Sequence, residues 1–229
     1  MNDEFSAKLK NLRQYNRPDL SDFLVHFTGR TRPKSNAVSA NFASMSAELR
    51  LRNILASRRI YAFEAYAQAT VAPVVCFSEC TPGGVQTTLR DKLTEPYGIV
   101  FRKQTIFDHG GGPVLYVRGD QWCDFVAALS PRLASRLVRF WPGIEGDDAG
   151  VPQPIARPSE WTHEREWRLV YEGEAPDDPE WPYFEFSPDD VAALIVPRAD
   201  LAFAAGYRLL VMSPDGKEVF DESGFWRSA

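Results

Sequence analysis

A chain of 229 residues, 44% hydrophobic and 25% charged, has enough apolar material for one sizeable folded domain spanning residues 1–229. No apolar run reaches the roughly 18 residues that span a bilayer, and the opening MNDEFSAKLKNLRQYN has no apolar stretch behind its charges. A cytoplasmic protein, neither secreted nor membrane-spanning, is therefore expected. The net charge of −5 conceals an asymmetry: residues 1–60 carry 11 Lys/Arg against 5 Asp/Glu, and residues 141–229 carry 7 against 19. A basic first third suits phosphates and an acidic last third repels polyanions, but faces that pair with one another explain the same distribution. Cys76, Cys80 and Cys123 are odd in number, and the C-x3-C pair has no second pair or nearby His. Reduced thiols are expected and no metal site.

In chain order, Phe5, Leu9 and Leu12 form a helical stripe that Pro18 ends. DFLVHFTGR reads as a short strand closing at Gly29, and residues 30–40 as a polar, basic, Pro-containing surface loop. Met45, Leu49 and Leu55 carry a helical period over residues 44–57, leading into the β-like IYAFEAY. PVVCFSE, YGIVFRK and PVLYVRG are strand-like, with helical character over residues 84–93 and 120–140. Gly110, Gly111 and Gly112 precede a strand and lack the Lys-Ser/Thr of a phosphate loop, so they read as a turn. Residues 142–160 form a long Pro/Gly/Asp-rich loop, followed by the strand EREWRLVYEG. The last third offers YFEFSP, a turn or short helix at PDDVA, the apolar ALIVP, a helix at ADLAFAAG and a hairpin in YRLLVMSPDGKEVF. Short strands with helices mostly in the first two thirds predict an α+β fold with a largely antiparallel or mixed sheet. Regular βαβ alternation, and with it a dinucleotide-binding doubly wound sheet, is absent.

Three groups of residues carry possible chemistry. In His26-Phe27-Thr28 an imidazole and a hydroxyl share one strand face and could bracket a ribose or amide, although a half-buried strand His is more often a structural hydrogen-bonder. In VVCFSE, Cys76 and Ser78 share a face opposite Phe77; a Cys76 nucleophile served by His109 or His163 is one alternative. In HEREWRLVYEG, alternation puts Glu164, Glu166 and Arg168 on one face and Trp167, Leu169 and Tyr171 on a core-like face. Two carboxylates and an arginine in register make either a salt-bridge ladder or a catalytic edge beside a flexible loop.

Taken together and in order, H-x-T at the first strand end, LRNIL over residues 51–55, VCFSE, PVLYV and E-R-E-W-R-L resemble the DarT-like ADP-ribosyltransferases and the AbiGi-like abortive-infection proteins over about residues 20–172. The resemblance implies a split, twisted, mixed or antiparallel β core with flanking helices and a cleft holding NAD as co-substrate. Carried over by position, Glu166 would be the catalytic carboxylate, with His26, Phe27 and Thr28 at the nucleotide and Ser78 near the nicotinamide. Phe77 or Tyr61 would stack the ring, Arg30 with Arg32 and Lys34 would meet the pyrophosphate, and Glu164 and Arg168 would face the substrate. The chemistry fits: cleavage between nicotinamide and ribose builds an oxocarbenium-like positive charge that a carboxylate stabilises. The implied roles are a toxin or anti-phage effector modifying nucleic acid or protein, with an antitoxin or immunity protein as a partner, or an inactive member of that fold serving as a binding module. The enzymatic version requires the Glu166 carboxylate to face an open pocket opposite His26.

Overall fold

A computed structural model describes residues 21–29, 44–63, 72–79, 81–90, 94–140, 165–171, 182–213 and 219–220. The expected helix over residues 4–16 and the loops at 30–40 and 142–160 lie outside the described residues. The class is as expected, α+β with a large, mostly antiparallel sheet and few flanking helices. Eight strands form that sheet in the order β12-β11-β10-β4-β1-β3-β8-β5. They are β1 (Phe23–Phe27), β3 (Val74–Ser78), β4 (Gly98–Arg102), β5 (Gly112–Pro113), β8 (Glu166–Val170), β10 (Val191–Val196), β11 (Leu209–Met212) and β12 (Val219–Phe220). Two ribbons accompany it: β2 (Arg59–Tyr61) with β9 (Tyr183–Glu185), antiparallel, and β6 (Leu115–Arg118) with β7 (Leu137–Phe140), parallel.

Alternation along each central strand divides the sheet into two apolar faces. On the first, Leu24, Phe77, Ile99, Phe101, Trp167, Leu169 and Leu194 meet Leu51 of α1 (Ala47–Ser57), Ile106 of α3 (Lys103–Asp108), and Ile60 and Phe184 of the β2–β9 ribbon. On the second, Phe23, Val25, Phe27, Val100 and Ile195 meet Val85 and Leu89 of α2 (Pro82–Arg90). Both helices begin where a hydroxyl can cap them: Ser46 accepts from Leu49 N in α1, and Thr81 accepts from Gly84 N ahead of α2, where Pro82 follows at the first helical position.

Two expectations need correction. The helical stretch over residues 120–140 divides into α4 (Trp122–Ala128) and α5 (Pro131–Ala134) and then becomes strand β7. Pro131 cannot donate its missing N–H to continue α4, and the β-branched and aromatic LVRF pairs instead with LYVR of β6. The helix expected at ADLAFAAG is only a 3-10 turn over Ala202–Ala204. That turn lies in the crossover that makes β10 and β11 parallel, while β11 and β12 form the antiparallel pair expected of the hairpin.

Phe77 is 1% exposed, with edge-on ring contacts to Phe101 at 5.8 Å and Phe184 at 6.2 Å. Phe77→Ala is expected to cost about 3–5 kcal/mol in urea unfolding; a loss below about 1 kcal/mol would place the ring outside the core. Burial also pushes the Tyr171 phenol up from its ordinary value. The folded chain therefore keeps a proton that the unfolded chain releases near pH 10, so this contribution is complete below about pH 10 and fades as pH rises towards the folded value. Tyr171→Phe should flatten the alkaline fall in stability, and parallel curves for the variant and the wild type above about pH 10 would refute the assignment.

Candidate functional site

Residues on β3 and β8 face one another in antiparallel register, with Ser78 opposite Glu166, Phe77 opposite Trp167 and Cys76 opposite Arg168. Glu166 and Arg168 stand two residues apart on one strand face, close enough for their side chains to meet. The pair is bidentate, with Arg168 Nε donating to Glu166 Oε1 at 2.8 Å and Nη2 to Oε2 at 3.1 Å. The side chains are 3% and 14% exposed, respectively. Arg168 Nη1 also donates to the carbonyls of Ser135 at 2.7 Å and Leu137 at 3.2 Å, between α5 and β7. These acceptors explain how a guanidinium can be buried here. Burial works against its charge, yet Glu166 and the adjoining Cys76 outweigh burial and leave Arg168 above its ordinary value.

As the alternation of EREWRL suggests, Trp167 and Leu169 are core and Glu166 and Arg168 share the other face. That other face is not open at Arg168, which is 2% exposed beneath the carbonyls of residues 135 and 137. The position of His26 differs more sharply from the expectation. Val25 opposes Ser78, and Ser78 opposes Glu166, so these three share a face. His26 belongs to the other face, where its ring lies 5.9 Å from Phe77, itself the partner of Trp167. The imidazole and the carboxylate thus project from opposite sides of the sheet, and the expectation that they flank one pocket is corrected. Periodicity orders the faces of one strand; only the register between strands says which faces coincide.

Of the remaining expected residues, those described make the following contacts. Half-buried His26 donates from Nδ1 to the Cys76 carbonyl at 2.9 Å, since a carbonyl can only accept. Thr28 is 4% exposed and donates from Oγ1 to Ala47 O at 3.0 Å, tying β1 to the start of α1. Phe27 lies in the core of the second face, and Phe77 in that of the first, so neither presents a free ring face to a nicotinamide. Tyr61 stands edge-on to Tyr183 at 6.0 Å on the β2–β9 ribbon, which is separate from the eight-stranded sheet. Arg30, Arg32, Lys34, Cys80, His163 and Glu164 lie outside the described residues. His109 hydrogen-bonds through Nδ1 to Thr105 O at the end of its own helix.

One residue was passed over in the sequence. Glu79 sits on the Phe77 face and ties four segments together, with Lys103 Nζ at 2.8 Å, Trp167 Nε1 at 3.2 Å and the backbone N–H of Ser21 at 3.3 Å. Its parity with the apolar Val75 and Phe77 was the available signal, because a carboxylate on a buried face requires partners.

Glu166→Gln removes the charge facing a buried guanidinium. The expected loss is about 2–3 kcal/mol, below that of breaking a fully buried pair because Arg168 retains two carbonyl acceptors and Glu166 has some exposure. Glu166→Leu with Arg168→Met should recover part of it in a double-mutant cycle followed by urea unfolding, whereas additive losses would mean that the pair is uncoupled. No family model, curated protein or solved structure matches the chain.

Proposed function

We propose that this chain is a non-catalytic member of the ADP-ribosyltransferase-like group, a binding or interaction module of a bacterial defence or immunity system. The observation that carries this reading is the bidentate capture of Glu166 by buried Arg168, at 2.8 and 3.1 Å. Transfer from NAD needs an uncompensated negative charge beside the ribose as it becomes cationic. A carboxylate already neutralised by a guanidinium presents mainly a dipole, whose field falls off faster than that of a free charge. The separation of His26 and Glu166 on opposite faces of the sheet points the same way, because a nucleotide held by one would not reach the other.

A working transferase is the second reading, with NAD as co-substrate, Glu166 as the carboxylate and nucleic acid or protein as the acceptor. Two observations favour it. Ser78 stands directly opposite Glu166, as the resemblance implies for a serine and a glutamate at one site. Arg165 holds a φ of 42° immediately before Glu166, and a non-glycine backbone in this region is a strain that clusters at functional sites. In either reading the partners are an acceptor or binding macromolecule and a possible antitoxin or immunity protein. Among the described residues no helix is long and apolar enough to cross a membrane.

Purified protein incubated with nicotinamide-labelled NAD, alone and with DNA, RNA or cell protein, separates the two. Under the first reading, nicotinamide release stays at the enzyme-free background with every acceptor. Release that disappears in Glu166→Gln, with that variant shown to be folded at the assay temperature by near-ultraviolet circular dichroism, would overturn it in favour of the second.

A further inference from the structure

Several cations in the described structure have an anionic partner: Arg168 has Glu166, Lys103 has Glu79, Arg118 has Asp120 and Arg52 has Glu48. Arg132 and Arg136 do not, among the described residues. Arg132 is in α5 and Arg136 lies just beyond it, about one helical turn further on, and both guanidiniums converge on the turn at Gly110–Gly112. Arg136 Nη2 donates to the Gly110 carbonyl. A methyl group on Gly112 would lie 2.6 Å from Arg136 Nη1, and one on Gly110 would lie 3.3 Å from Arg132 Nη2. Gly110 also has a φ of +86°, a backbone conformation that favours glycine. Arg136 Nε is buried with no hydrogen-bond partner, and the fully buried Ser135 Oγ beside it in sequence has none either. Burial, and then the charge of Arg132, hold the Arg136 guanidinium below its ordinary value.

Two like charges brought to one glycine turn, one of them half-buried, destabilise each other unless an anion lies between them. The planar guanidinium fork matches the oxygens of phosphate better than a single carboxylate matches two arginines. We propose that Arg132 and Arg136, around the Gly110–Gly112 turn, form a site for the terminal phosphate group of a small phosphorylated ligand. The site does not rest on either reading of Glu166, since neither arginine contacts that carboxylate. It adjoins the same strand, however, because Gly112 of β5 pairs with Arg168 of β8.

The test is calorimetric titration of the full chain with inorganic phosphate, with AMP, and with adenosine, at an ionic strength fixed by chloride. Phosphate and AMP are expected to bind saturably and adenosine not at all. Exposed Arg132→Gln should weaken both by about tenfold or more, the worth of one charge-assisted hydrogen bond. Its melting temperature without ligand should be unchanged or higher, because the repulsion is relieved. The proposal is overturned if phosphate does not saturate or if Arg132→Gln binds as the wild type does. It is equally overturned if an oligonucleotide without terminal phosphates binds more tightly than AMP, which would assign the arginines to a nucleic-acid backbone. Binding by AMP but not by inorganic phosphate would overturn it as well, since recognition would then lie in the nucleoside.

Discussion

The guanidinium of Arg168 is the point on which one side of this molecule depends. It lies at 2% exposure on β8, next to the edge of the large sheet, and joins its own strand to the segment leading into β7 through the Glu166 carboxylate and the carbonyls of Ser135 and Leu137. A planar cation with five donors can join a strand to a neighbouring ribbon in this way, and a lysine cannot do so with the same directionality. The β6–β7 ribbon is therefore fastened to the sheet by a charged clasp, supported by the backbone bond from Val114 N to Glu166 O at 2.9 Å. Glu166 follows from this arrangement. Its charge offsets that of the buried cation, and whatever else it does must be compatible with that duty.

The opposite face has its own organising carboxylate. Glu79 lies where β3 leaves the sheet and gathers Lys103, Trp167 and the backbone ahead of β1. Adjacent residues of VVCFSE thus serve different faces: Ser78 stands with Glu166, and Glu79 with Trp167. Two acidic residues separated by 87 positions in sequence fix the two faces of the same pair of strands.

Much of this was legible in the sequence, for identifiable reasons. FLVHF, VVCFS, GIVFR and EWRLV are short, β-branched or aromatic and bounded by turn residues, and each is a strand. Alternation along EWRLV correctly separated Trp167 and Leu169 from Glu166 and Arg168. The relation between strands was not legible. A shift of one residue in the pairing of β1 with β3 exchanges the faces of His26 and Val25, and no feature of either segment encodes that shift. LVRF was missed as β7 because four residues after a helical stretch are too few to show a period of two. The partners of Arg168 were hidden for a similar reason: two are main-chain carbonyls, which every residue has.

The position of β1 in the sheet has a consequence for biosynthesis. Its two neighbours are β3 and β4, so Phe23, Leu24, Val25 and Phe27 find their strand partners only after residues 74–78 and 98–102 have been made. At translation speeds of 5–20 residues per second, an unpaired apolar strand waits roughly 4–15 s for the second of them. A nascent chain in that interval offers an adhesive edge to any other chain or to a holdase, and slower decoding between residues 28 and 98 lengthens the exposure.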